Sequence, residues 1–435
     1  MYTQNRKFRL VAILAVILVL LCSGCVPKNA DTQQSITPGT KETTVFIASD
    51  VHLYSKNLVG EDNKTYVKAN FSTDGRAQEY DYSLVEALVG EVNKQKPEFL
   101  VLTGDLSFNG EEDSHTELAR LLGKIEKTKV LVIPGNHDTY SLSAFSAKED
   151  TLADIDSITA EDFRQIYNNF GYSGAYSYDE QTLSYIYPLN SSTWALMLDT
   201  TLSKYNEEND YNIVGGFVEE PTLIWLEENL KYAKENGISV VAFSHHNLLV
   251  HNELFKSSYT VTNYELLLEL YRKYNVNLNF SGHLHIQSIK SQTTGEQTIY
   301  DVVSGSLLDY GNRYGQLDIY DNCYSYEARL LDFADREKTF KIFCDEYYAK
   351  TVAQYKTALG EKKGEAAAAL LSEINAYYFD GDYQQINQTI KENKSLVKKI
   401  KKNTKKYETS YVKSILEVQN QNQHTLLITR NINGN

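Results

Sequence analysis

At 435 residues the chain is longer than one ordinary hydrophobic core supports, so a large domain with a smaller companion is expected. A composition of 42% hydrophobic and 23% charged residues excludes a disordered chain, and a formal net charge of −14 argues against binding extended nucleic acid, which needs Lys and Arg to neutralise phosphates. A small phosphate ester is not excluded, because bound cations reverse the local charge.

Arg6, Lys7 and Arg9 precede an apolar run from Leu10 to Leu21, too short for an ordinary spanning helix and of signal-peptide proportions. Ser23-Gly24-Cys25 resembles the lipobox of bacterial lipoproteins, with the departure that Cys22 stands where leucine is commonest. That resemblance implies a signal peptide over 1–24, export, and a lipid on Cys25 anchoring the chain to the outer face of the bacterial membrane. A plain secretory signal and an uncleaved anchor are the alternatives. Residues 25–42 read as a flexible tether, polar and rich in Thr, Gln and Ser from Lys28 onward. Cys323 and Cys344 remain, as one disulfide or as two buried thiols, and neither has metal-ligand spacing.

From Thr43 to Leu331 short β-prone runs alternate with helical periodicity. TTVFIAS, PEFLVLT, KVLVIP, ISVVAFS and NLNFS read as strands. Tyr80 to Lys94 predicts an amphipathic helix with Leu84, Leu88 and Val92 on one face; His115–Lys127, Glu161–Phe170, Glu220–Glu235 and Asn263–Tyr274 read likewise. Gln297–Ser304, Gly315–Tyr320 and Cys323–Leu331 are strands without helices between them, the last two flanking an Asp321-Asn322 turn as a hairpin. A parallel half and an antiparallel half predict an α/β fold over 43–332: a double β-sheet sandwich flanked by helices. Phe340–Leu359, Glu365–Tyr378, Tyr383–Lys402 and Tyr407–Val418 then predict a small all-α C-terminal domain over 333–435, punctuated by Gly360, Gly364 and Gly381. The lysines of Lys391–Lys406 read as a solvated face, or as a cationic patch for anionic wall polymer, lipid headgroups or substrate.

Five short motifs each follow one of the strand runs: Asp50-Val51-His52, Gly104-Asp105, Gly135-Asn136-His137-Asp138, His245-His246 and Gly282-His283-Leu284-His285. The carboxyl ends of neighbouring strands converge in open α/β sheets, so five scattered segments can form one site. Oxygen and imidazole donors without thiolate suit a pair of hard-to-borderline divalent metals.

In this order the motifs resemble those of the calcineurin-like metallophosphoesterase superfamily, a double-sheet α/β sandwich, over about Val45 to His285. Position by position, the resemblance implies two divalent ions (Mn, Fe or Zn), the first held by Asp50, His52 and His285. Asn136, His245 and His283 would hold the second, with Asp105 bridging. His137 would protonate the leaving oxygen while a bridging hydroxide attacks phosphorus in line, and Asp138 would orient the His137 ring. Strand-like alternation would point His283 and His285 the same way. His246 is the alternative to His245 as ligand.

Weaker candidates surround these. His251 reads as a rim or solvated loop residue, His115 as surface and His424 as tail. Asp74-Gly75-Arg76 and Gly311-Asn312-Arg313-Tyr314 read as turns, with Arg76 reaching a phosphate or base as the sharper alternative. Relatives often carry a second acid or an Asn soon after Gly-Asp; here Asn109 or Ser107 would contact metal-bound water. The insertion between the first two motifs, GDLSFNGE, FSHHN and the extra helical region resemble exported bacterial cyclic nucleotide phosphodiesterases. The expected substrate is therefore a cyclic nucleotide or related small phosphodiester. The alternatives are an extracellular phosphomonoesterase or nucleotidase, and a phosphodiesterase of cell-wall or lipid phosphodiesters. A tethered solute-binding or adhesion protein would give no reason for the complete ligand set.

Overall fold

The computed structural model describes residues 36–60, 75–149, 152–403 and 406–430. The expected signal peptide, Cys25 and most of the tether lie outside these residues, as does Asp74. No helix among the described residues is long and apolar enough to cross a membrane.

The strands in chain order begin with β1 (Lys41–Ala48), β2 (Phe99–Thr103), β3 (Lys129–Ile133), β4 (Phe145–Ser146), β5 (Ala153–Asp154), β6 (Ser177–Tyr178), β7 (Tyr185–Asn190) and β8 (Thr193–Leu198). They continue with β9 (Ser239–Ser244), β10 (Leu278–Ser281), β11 (Ser288–Thr294), β12 (Gln297–Val303), β13 (Arg313–Tyr320), β14 (Cys323–Leu330) and β15 (Thr425–Thr429). One sheet runs β15-β14-β13-β1-β2-β3 and the other β11-β12-β10-β9-β8-β7-β6, while β4 and β5 form a separate ribbon. The two halves are not one parallel and one antiparallel, as the sequence predicts. Each sheet is mixed. The β13–β14 hairpin adds antiparallel strands to parallel β1, β2 and β3, and β12 joins the parallel set β8, β9 and β10.

Side-chain alternation explains why the central strands are continuous apolar runs. In β8 and β9, Ala195, Met197, Val241 and Phe243 face a core shared with Val45, Val101 and Leu131 of the other sheet. Their neighbours Trp194, Leu196, Val240 and Ala242 face outward onto Leu226 and Leu230 of the helix Glu220–Glu235, and onto Leu267 and Tyr271 of the helix Tyr264–Lys273. Both faces are covered, so polar alternation has no place there.

The C-terminal region is helical over Arg336–Leu359, Glu361–Asp380, Tyr383–Glu392, Lys394–Asn403 and Lys406–Leu416. The single helix expected over Tyr383–Lys402 is two, because the Asn393 side-chain amide donates to the Thr389 carbonyl, a local bond that competes with helix continuation. Gly364 is not punctuation but lies inside a helix, where a Cβ would collide with the Lys356 backbone on the neighbouring helix. The expected all-α tail also ends differently: Thr425–Thr429 returns as β15 and pairs antiparallel with β14. The helices share a core with Leu284, Ile286 and Val303, so they pack directly onto the loop of the last motif. Lys398, Lys399, Lys401 and Lys402 are exposed, and Lys401 pairs with Glu417 at 3.1 Å.

Just past β15, Arg430 ties the two sheets together. Its buried guanidinium donates to the Tyr320 carbonyl at 2.9 Å on one sheet, and to Thr193 Oγ1 at 2.6 Å and Ser239 Oγ at 3.2 Å on the other, while pairing with Glu42. Removing a buried charge that satisfies several acceptors leaves them unpaired. Arg430→Ala should therefore lower unfolding free energy by roughly 2–3 kcal/mol and the thermal midpoint by several degrees. An unchanged midpoint in a thermal melt would contradict the clamp.

Candidate dinuclear metal centre

Each motif begins where a parallel strand stops. β1 leads to Asp50 and His52, β2 to Asp105, β3 to Asn136 and His137, β9 to His245, and β10 to His283 and His285. The turns that follow are strained. Of the seven expected ligands, Asp50, His52, Asp105, His283 and His285 have φ between 37° and 66°, the left-handed region that non-glycine residues avoid. His283 and His285 thus reach the same site through left-handed backbone beyond the end of β10, not through strand alternation. Gly104 has φ +99°, and a Cβ there would stand 2.5 Å from His245 Nδ1, so the Gly-Asp motif requires glycine for both turn and clearance.

The donors form two groups that share one carboxylate. Asp50, His52, Asp105 and His285 present ligand atoms within 4.8 Å of one another, and so do Asp105, His245 and His283. Asp105 Oδ2 lies 3.6 Å from His52 Nε2, and its Oδ1 lies 3.4 Å from His245 Nε2. Asn136 Oδ1 joins the second group, 3.2 Å from His245 Nε2. In the first, His52 Nε2 and His285 Nε2 stand 3.3 Å apart, with Asp50 Oδ1 3.3 Å from His285 Nε2. Converging imidazole nitrogens and carboxylates, buried and turned on one another, fit two divalent cations.

The outer nitrogens of three histidines are fixed. His245 Nδ1 donates to the Thr103 carbonyl at 2.9 Å, His283 Nε2 to the Ser258 carbonyl at 3.0 Å, and His285 Nδ1 to Asp309 Oδ2 at 2.7 Å. Such bonds set the tautomer and aim the free nitrogen inward. Asp309 is a functional residue that motif reading misses. Its sequence signal is only an acid in the loop after β12, the next parallel strand to end at this rim. The backbone N–H of His283 donates to Asp50, and that of His137 to Asp105 Oδ1, so the ligands are also braced by the loops.

Charge follows the same layout. Burial opposes protonation of His245, but Asp105 and then Asp50 raise it to about 9; burial likewise opposes His285, which Asp50 and Asp309 raise to about 10. Burial and the facing Arg76 hold His52 well below the usual imidazole range. His283 is lowered by burial and by its neighbours His246 and His245.

The remaining expected residues fall into place with several corrections. His137 lines the cleft, but its Nδ1 is held at 2.9 Å by the Phe108 carbonyl and at 2.9 Å by Asn109 Oδ1, not by Asp138. Asp138 instead accepts the backbone N–H groups of Leu106, Ser107 and Gly135 and the Ser107 hydroxyl, knitting two motif loops together. Asn109 and Ser107 therefore serve His137 and Asp138. His246 spends Nδ1 on Thr200 Oγ1 at 2.8 Å and Nε2 on the Val214 carbonyl at 2.9 Å, which puts it behind the cluster that His245 enters. His251 is not solvated: it is buried against Ser288 and Asp301. His115 is not at the surface either. The helix Glu112–Leu122 starts earlier than its pattern suggests and buries Ser114, His115 and Leu118 together, with His115 Nε2 on the Asp138 carbonyl at 2.9 Å. His424 bonds the Asp380 carbonyl. Arg313 forms a two-point ion pair with Asp380 instead of lining the cleft. Arg76 is the opposite case, a turn residue that lines the cleft beside His52 and His137, its guanidinium 5.6 Å from the Phe108 ring. Cys323 and Cys344 are both free thiols.

A profile of the calcineurin-like phosphoesterase family matches residues 43–287, more than half of the chain. No curated protein matches the sequence. Among solved structures, a dimetal phosphatase from Danio rerio is similar at 14% identity, over 67% of this chain and 96% of its own, with a TM-score of 0.48. A candidate 5′-nucleotidase from Staphylococcus aureus is similar at 13% identity, over 70% of this chain and 58% of its own, with a TM-score of 0.37.

In the metal-free protein His245 and His285 stay protonated up to about pH 9 and 10, and any cation entering the site must displace those protons. Metal loading at pH 8 should therefore release about two protons per chain. Calorimetry in buffers of different ionisation enthalpy measures this, and heats independent of the buffer would contradict the protonation pattern.

Proposed function

The chain belongs to the calcineurin-like phosphoesterase family, and on that premise we propose that it is a phosphodiesterase whose substrate is a cyclic nucleotide or related small phosphodiester. The observation that carries the reading is the make-up of the cleft, about 250 Å³, around the shared Asp105 carboxylate. Among its described lining residues Arg76 is the one Arg or Lys, while Val214, Tyr259, Leu284 and Phe379 form an apolar side. With the two cations present to neutralise the phosphoryl group, a single arginine and several apolar residues in the lining suit a diester carrying an organic substituent. When bound, the two ions supply Lewis acidity to the phosphoryl group and make a water nucleophilic near neutral pH.

The protein's own groups do the rest. Asp50, His52, His285 and Asp105 would hold one ion, and Asp105, Asn136, His245 and His283 the other. His137 keeps its Nδ1 proton on two oxygen acceptors, which leaves Nε2 to deliver a proton to the departing alkoxide. Burial, and to a lesser degree Arg76, lower its affinity for that proton; an incoming phosphate anion restores it. Arg76, at the same wall, orients the non-bridging phosphate oxygens. On this reading residues 1–24 export the chain and Cys25 anchors it, so substrate arrives from outside the membrane.

Full-length protein in detergent, loaded with Mn²⁺, should hydrolyse 3′,5′-cyclic AMP faster than AMP and lose activity in EDTA. Faster release of phosphate from AMP would overturn the diester assignment in favour of a nucleotidase. His137→Ala should lower kcat by about 10²–10⁴-fold while both metals stay bound. Asp105→Asn should lose metal together with turnover, and full activity in that variant would sink the assignment.

A further inference from the structure

Beside the metal cleft lies a second cavity of about 130 Å³, walled by Phe255, Tyr259, Leu284, Phe379 and Tyr411 among others. Tyr259, Leu284 and Phe379 line both spaces, so the cavity lies directly against the cleft. Leu284 is the residue between the two ligand histidines of the last motif. Its side chain is buried in the core of the helical C-terminal region. The Tyr259 ring lies 4.6 Å from the ring of His283, and Phe255 lies 5.6 Å from Tyr259 and 6.0 Å from Tyr411. Aromatic surface therefore runs from His283 through Tyr259 and Phe255 to Tyr411.

Among the described residues no charged side chain walls this cavity. Tyr411 directs its hydroxyl to Asn375 and so offers mainly its ring. Phe255, Tyr259, Phe379 and Tyr411 are all only partly buried, so each keeps accessible surface. Phe379 is held in place from both sides. Its carbonyl accepts from Gln287 N–H at 2.8 Å, and the next residue, Asp380, is paired with Arg313. An apolar cavity of this size holds about one aromatic ring.

We propose that this cavity is a binding subsite for an aromatic substituent of the phosphate ester, and that the helical C-terminal region sets substrate preference through Phe379 and Tyr411. The inference rests on the phosphoesterase reading above and deepens it: the region outside the family's matched span adds Tyr378, Phe379 and Tyr411 to a pocket whose other wall is Phe255, Tyr259, Leu284 and Ile286. Flat, uncharged rings gain from burial and from edge and face contacts with the aromatic side chains of the wall, whereas a small alkyl group gains little.

The test separates binding from turnover. On metal-loaded full-length protein, calorimetry compares phenylphosphonate with methylphosphonate, and rates compare phenyl p-nitrophenyl phosphate with methyl p-nitrophenyl phosphate, which share a leaving group. The wild type should prefer the phenyl member of each pair by about tenfold. Phe379→Ala, and independently Phe255→Ala on another element, should reduce that ratio to about twofold, each variant first shown to keep its metal content. Equal binding of the two phosphonates by the wild type, or an unchanged ratio in both variants, would overturn the subsite. Turnover of both esters without preference removes the subsite and leaves the phosphoesterase reading standing. A phenyl preference in binding with no turnover of either ester upholds the subsite and removes that reading instead.

Discussion

Everything in this structure turns on one carboxylate serving two clusters. Asp105 offers Oδ2 towards His52 and Oδ1 towards His245, and it is buried with its partners away from water. Without cations, the carboxylates pair with protonated His245 and His285; two divalent cations would take the place of those protons. The protein holds it by geometry that would otherwise be unfavourable. Five ligand residues sit in left-handed backbone, a glycine clears the way for His245, and the Asp138 carboxylate gathers backbone N–H groups from two loops. Strain of this kind persists only where the surrounding scaffold over-determines it. Parallel strands from two mixed sheets, tied together at the ends opposite the motifs by Arg430, are that scaffold.

The helical C-terminal region belongs to the same account. Leu284, between two ligand histidines, sits in its core, and Phe379 at the end of one of its helices lines the cleft. A disturbance of these helices therefore reaches the ligands through one residue of the last motif. The link gives the region a part in shaping the substrate site, beyond filling space.

Strands and motifs were legible because both are local. A buried parallel strand is a short, largely apolar run such as Phe99–Thr103, and each expected ligand follows one within a few positions. Asp105, His245 and the Gly-His-Leu-His segment all come out this way. What escaped depends on contacts distant in sequence. Asp309 meets His285 only because β12 lies beside β10; Phe379 and Arg430 meet the site and the sheets across most of the chain. The Asp138 role failed for a related reason, since adjacency in sequence to His137 says nothing about which group its carboxylate faces. His115 and His251 were misplaced because a polar residue in a helix or loop reads as solvated unless its partners, here the Asp138 carbonyl and Asp301, are known. The tail strand β15 escaped because five β-prone residues after a helical stretch form a strand only if an edge such as β14 is there to receive them.

The most direct test of the shared-carboxylate centre is anomalous diffraction from crystals grown with Mn²⁺. The account predicts two peaks, one on each side of the Asp105 carboxylate, the first among Asp50, His52 and His285 and the second among Asn136, His245 and His283. A single peak, or a second peak ligated by His246, would contradict it.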